Sequence, residues 1–66
     1  MKNNIKVERA ILNLTQEDLA NRISVSRQTI NAMEANKYVP STLLALKIAR
    51  VFNKQVEQIF ILEEND

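Results

Sequence analysis

The stretch that decides the fold runs from Leu14 to Ser41 and reads LTQEDLANRISVSRQTINAMEANKYVPS. Thr15 is followed three residues later by Asp18, which forms a capping box with Asp in place of Glu. In that motif the hydroxyl and the carboxylate each satisfy a backbone N–H that the first helical turn leaves without a partner. Glu17 and Asp18 also put negative charge where the helix dipole favours it. The pattern predicts a helix starting at Gln16. Its apolar positions, Leu19, Ala20 and Ile23, stop at Ser24, and Ser26 then offers a second cap ahead of Arg27, Gln28 and Thr29. Two short helices therefore flank a turn of about three residues. In the second helix Ile30 and Met33 share an inward face, while Arg27, Gln28, Asn31 and Ala32 fall on other faces.

Outward from this pair, Asn3 or Asn4 can cap a first helix running to about Asn13. Ile5, Val7, Ile11 and Leu12 share its broad apolar face, with Lys6, Arg9 and Asn13 elsewhere. Downstream, a loop of Asn36, Lys37, Tyr38 and Val39 leads to Pro40-Ser41, which opens a fourth helix. Leu43, Leu44, Leu46, Ile48, Ala49, Val51 and Phe52 cover most of its circumference and mark it as the central core helix. Asn53 and Lys54 interrupt the pattern, and Val56, Ile59 and Phe60 predict a short fifth helix before an acidic end. The chain has no Gly, one Pro and no strand-like alternation of useful length, so it reads as all-α.

Composition narrows the function. Sixty-six residues leave room for one small domain, expected to span 1–66 with a short acidic tail. With 45% hydrophobic and 26% charged residues the chain has the balance of a folding protein and not of a disordered one. It contains no Cys and no His. Disulfides and thiolate or imidazole metal sites are thereby excluded, as are the side chains most used as nucleophile and general base near neutral pH. No catalytic carboxylate pair is assigned to the tail residues Glu63, Glu64 and Asp66, no cofactor or metal is expected, and the chain does not read as an enzyme. No apolar run exceeds four residues, as in Ile59 to Leu62, far short of the roughly 18 residues that span a bilayer, and no signal segment opens the chain. A cytoplasmic protein is expected.

The net charge of +1 conceals an asymmetry. Residues 1–54 carry all nine Lys and Arg against four acidic residues, leaving +5, whereas residues 55–66 carry four acidic residues and no basic one, leaving −4. A basic body suits an anionic partner. Two short helices joined by a tight turn, the second displaying Arg, Gln and Asn, have the layout of a helix-turn-helix, whose second helix enters the major groove of DNA.

On these residues the chain resembles the Cro and phage-repressor type of helix-turn-helix, the XRE family. The run Val25-Ser26-Arg27-Gln28-Thr29-Ile30-Asn31 and the later Lys37-Tyr38 with Pro40-Ser41 are the most specific pieces, and the five-helix order extends the likeness over almost the whole chain. The resemblance implies a lambda-repressor-like five-helix bundle that binds double-stranded operator DNA as a homodimer and regulates transcription, with repression the expected sign. It places base contacts on Ser26, Arg27, Gln28 and Ala32, with Asn31 beside them. Phosphate contacts fall on Gln16, Asn36, Lys37 and Tyr38, and a structural ion pair on Arg9 and Glu34. Chemistry independently supports Arg27 toward guanine, Gln28 toward adenine and Ser26 toward either. Where the family usually has Gly, this chain has Ser24, and the later loop reads Ala35-Asn36-Lys37. Positive φ at these positions would be moderately costly.

A domain of this size often needs self-association for stability. Val56, Ile59, Phe60, Ile61 and Leu62 cannot all face one core, and Glu57, Glu63 and Glu64 would rim the surplus, so residues 56–62 are the expected dimer interface. The rival reading is an antitoxin-like interaction module whose protein partner binds the C-terminal region.

Overall fold

The computed structural model describes residues 1–66. In chain order the elements are β1 (Lys2–Asn3), α1 (Ile5–Ile11), α2 (Gln16–Ile23), α3 (Arg27–Glu34), α4 (Thr42–Phe52), α5 (Val56–Ile59) and β2 (Phe60–Ile61). Thr15, Ser26 and Ser41 cap α2, α3 and α4, whereas Asn4, at the N-cap position of α1, makes no side-chain cap bond. Thr15 Oγ1 accepts the Asp18 N–H at 3.0 Å and the Asp18 carboxylate accepts the Thr15 N–H at 2.9 Å. Ser26 Oγ accepts from Thr29 and Ser41 Oγ from Leu44, each at 3.2 Å. These side chains stop the preceding loops from competing for the first-turn donors, which is why α2, α3 and α4 start where they do.

The helix ends share one solution. Leu14, Val25, Lys37 and Lys54 each donate a backbone N–H across the end of the helix before them, to Arg9, Ala20, Ala32 and Ala49 respectively, at 2.9 to 3.1 Å. Closing a helix this way requires a left-handed residue just before the donor, a position usually occupied by glycine. Here Asn13, Ser24, Asn36 and Asn53 occupy it, with φ between 54° and 62°. Asparagine tolerates that region better than most residues, and serine less well. Asn13 thus closes the first helix, which ends at Ile11 instead of extending to Asn13.

Eleven apolar residues form the core. Ile5, Leu19, Ile23, Ile30, Met33, Ile48 and Ile59 are fully buried, so every helix contributes to one cluster. The apolar face expected on α1 is reduced to Ile5: Val7, Ile11 and Leu12 are exposed, and the second buried position of the helix is Glu8, 7% exposed. The Lys54 ammonium sits 2.7 Å from Glu8 Oε2, which is how a carboxylate is tolerated there. On α4, Leu43 and Leu46 face outward, so only part of its circumference is buried.

No strand was expected, yet Lys2 pairs with Ile61 and Asn3 with Phe60 in a short antiparallel ribbon. Phe60, read as part of the fifth helix, belongs to it. Strands of two residues are too short to show any alternation, and they form because the core brings the two ends of the chain together. No helix is long and apolar enough to cross a membrane.

The strained helix ends are directly testable. Ser24→Gly removes the Cβ penalty at φ 62° and is expected to stabilise the protein by about 0.5 to 1 kcal/mol after the entropy that glycine adds to the unfolded chain. Urea unfolding measures this, and an unchanged or lower midpoint would show that the turn is not strained.

Candidate nucleic-acid interface

The turn between α2 and α3 consists of Ser24, Val25 and Ser26. Val25 packs against the core from the middle of this turn, while Leu19, Ala20 and Ile23 of α2 face Ile30 and Met33 of α3 across it. Burying Ile30 and Met33 sets the rotation of α3, and that rotation turns Arg27, Gln28 and Asn31 to solvent. The exposed side chains of Arg27 and Gln28 take no hydrogen bond or ion pair within the chain, so both are free to reach a ligand.

The remaining expected base-contact positions are less free. The Ser26 hydroxyl caps α3 and lies 3.0 Å from Thr29 Oγ1. Asn31 is exposed but its Oδ1 accepts from Gln16 Nε2 at 3.3 Å. Ala32 is half-buried and offers only part of a methyl surface. Among the expected phosphate positions, Asn36, Lys37 and Tyr38 are exposed, on the turn that leaves α3. Gln16 lies at the first turn of α2, where free N–H groups favour an anion, but its side chain is directed toward α3.

Behind this face lies a polar cluster. Arg9 Nε donates to Glu34 Oε2 at 2.6 Å, Arg9 Nη2 to Glu34 Oε1 at 3.1 Å, and Arg9 Nη1 to the Leu14 carbonyl at 2.8 Å. Gln16 Nε2 adds a bond to Glu34 Oε1 at 3.1 Å. Both charged side chains are largely shielded, Arg9 at 13% and Glu34 at 9% exposure. The Glu34 carboxylate raises the Arg9 pKa through this hydrogen-bonded pair, chiefly by the direct bond. The pair also neutralises the only acidic side chain of α3, leaving the outward face of the helix with Arg27 as its charge.

The five residues expected at a dimer interface divide between core and surface. Ile59 and Phe60 are buried in the core of one chain, Val56 is half-buried against it, and Ile61 and Leu62 are exposed at 42% and 77%. Two residues that sequence reasoning passed over matter here. Lys54 holds Glu8, and Asn3, considered only as a helix cap, reaches the end of α3. Both contacts join residues distant in sequence, and no local pattern marks them. No group of three or more acidic side chains is placed to hold a metal ion.

A helix-turn-helix family matches residues 5–59 of the chain. A protein of Methanocaldococcus jannaschii named as an uncharacterized HTH-type transcriptional regulator is 56% identical, with both chains covered in full. A protein of Archaeoglobus fulgidus with the same description is 53% identical over all of this chain and 93% of its own. YgzD of Bacillus subtilis, described likewise, is 47% identical with both chains covered in full. The chain belongs to the XRE-type helix-turn-helix family, a class of DNA-binding regulators and not of enzymes.

Two predictions follow from the cluster and the α2 cap. Arg9→Ala and Glu34→Ala should each cost about 3 kcal/mol, because either one strands a shielded charge, while the double variant should lose clearly less than the sum. Chemical denaturation of all four proteins gives the cycle, and additive losses would show that the two residues act independently. The Thr15 N–H, 2.9 Å away, holds the Asp18 carboxyl below its usual value near 3.8. A depressed folded-state pKa means the unfolded chain binds the proton more readily. The cap's contribution is therefore complete above the ordinary aspartate range and is lost as pH falls through the lowered value. The stability gap between wild type and Asp18→Ala, followed by thermal unfolding, should accordingly close toward the acid end.

Proposed function

We propose that residues 1–66 act as one DNA-binding domain that represses transcription by occupying a palindromic operator as a homodimer, in the cytoplasm. The observation that carries this reading is the outer face of α3, where Arg27 and Gln28 stand free of every intramolecular partner on a helix locked from behind by Arg9 and Glu34. Arg27 has the fork that reads guanine O6 and N7, and Gln28 the amide that reads adenine N6 and N7. Ser26 and Asn31 supply further donors and acceptors, and Ala32 a methyl contact to thymine. Lys37 and Tyr38, with Asn36 and the start of α2 at Gln16, anchor the phosphates.

The dimer is supported by apolar surface that the monomer leaves open. Ile61 and Leu62 are the anchors in this reading, with Val56 at the edge. Val56, with Phe60 next to Ile61 in the chain, lines a hollow of about 230 Å³ shared with Met1, Val39, Pro40 and Leu46. Glu57, Glu63 and Glu64 flank Val56, Ile61 and Leu62 in the sequence and would repel phosphate, Glu63 less so because the N-terminal ammonium lies 3.2 Å from it. Repression by steric occupation of a promoter needs no surface beyond the DNA face and the self-association face.

Selection of bound sequences from random DNA should recover inverted half-sites about 34 to 36 Å apart, the spacing of one helical turn. Arg27→Ala and Gln28→Ala should each lose about 1 to 3 kcal/mol of discrimination at particular base pairs, whereas Lys37→Ala should weaken all sequences alike. Ile61→Ser with Leu62→Ser should sediment as a monomer with weak operator binding. Selected sites without a dyad, or base preferences untouched in both α3 variants, would overturn the reading.

A further inference from the structure

Asn3 lies on β1, where its backbone pairs with Phe60, and its side chain crosses to the far end of α3. Nδ2 donates to the Met33 carbonyl at 2.8 Å and to Asn36 Oδ1 at 3.1 Å, while Oδ1 accepts the Ile5 N–H at 3.2 Å. An amide group has two N–H donors. Both are directed at the turn that ends α3.

That turn is the one expected to meet phosphate. Asn36 holds φ at 60°, and its N–H reaches the same Met33 carbonyl at 3.0 Å while the Lys37 N–H reaches Ala32 at 2.9 Å. The left-handed residue decides the direction in which the chain leaves the helix, and therefore where Lys37 and Tyr38 stand. A non-glycine residue resists that conformation. Asn3 opposes the resistance at both ends, holding the carbonyl that anchors the turn and the side chain of the strained residue itself.

We propose that Asn3 is a positioning residue for DNA binding: it holds the Asn36–Tyr38 turn in the geometry that presents Lys37 to a phosphate. It does not touch DNA itself, and it leaves base readout by α3 unchanged. The proposal rests on the reading of Lys37 as a phosphate contact. Because Asn3 is carried on β1, whose partner strand contains Ile61, it also connects the phosphate-binding turn to the end of the molecule assigned to self-association.

The test measures DNA affinity against salt for wild type, Asn3→Ala, Lys37→Ala and the double variant, alongside base preferences from selection. Asn3→Ala is expected to bind all sequences about five- to tenfold more weakly. The slope of log K against log salt should fall by about one, since one phosphate contact is loosened, and base preferences should stay as in wild type. The double variant should lose clearly less than the sum of the two single losses. Asn3→Ser, whose hydroxyl can accept the Ile5 N–H but is too short to reach Met33, replaces the alanine variant if that one does not fold. A folded Asn3 variant with wild-type affinity and slope, a loss that adds to that of Lys37→Ala, or a changed base preference would overturn the proposal. Wild-type protein without salt-dependent DNA binding would overturn the underlying reading first, and is distinguished by not involving Asn3 at all.

Discussion

The bidentate contact between Arg9 and Glu34 is the constraint on which the working face depends. Hydrophobic burial of Ile30 and Met33 fixes α3 against the core, but burial is non-directional and tolerates small rotations and slides. A forked guanidinium bonded to both oxygens of one carboxylate does not, because the two bonds fix relative position and orientation together. With Arg9 also bound to the Leu14 carbonyl and Gln16 to Glu34, helices α1, α2 and α3 are tied at one shielded point. Such a pair contributes little net stability, since desolvation offsets much of the attraction. What it contributes here is the setting of α3 relative to its neighbours, on which the aim of Arg27 and Gln28 depends.

A second theme is how a chain without glycine closes four helices. Each closure places Asn or Ser in the left-handed region and accepts a modest conformational cost, offset by hydrogen bonds across the helix end. Two of the closures are followed by Leu14 and Val25, whose side chains pack on the core, so apolar burial supports those turns as well. After α3 the next residue is the exposed Lys37, and the support comes instead from Asn3. The turn after α3 is thus held by a side chain from the start of the chain.

Charge follows the same division of labour. Arg27 of α3 and Lys37 of the following turn are exposed, whereas the four acidic residues after Gln55 lie beside Ile61 and Leu62 in the sequence. A small protein with net charge near zero would have little electrostatic attraction for DNA if its charges were mixed. Segregation along the chain leaves Arg27 and Lys37 a local field without requiring a large total charge.

Much of this was legible in the sequence because it is governed by local physics. Thr15, Ser26 and Ser41 cap helices through contacts three residues away, and the spacing of Leu19, Ile23, Ile30 and Met33 defines inward faces without reference to the rest of the chain. The helix-turn-helix and the outward placement of Arg27 and Gln28 follow from those two signals. The features that escaped depend on long-range packing. Whether Val7, Ile11, Leu43 and Leu46 are buried depends on which helix faces find a neighbour, and in so small a molecule there is not enough chain to cover them all. Glu8 with Lys54, the ribbon of Lys2–Asn3 with Phe60–Ile61, and the reach of Asn3 to Met33 join residues between 30 and 59 positions apart. The sequence by itself determined the helices, their caps and the polar face of α3, because those rest on interactions within a few residues. Only the tertiary structure decided which apolar side chains stay exposed and that the Asn3 side chain reaches the turn after α3, because both depend on how the packed core brings the two ends of the chain together.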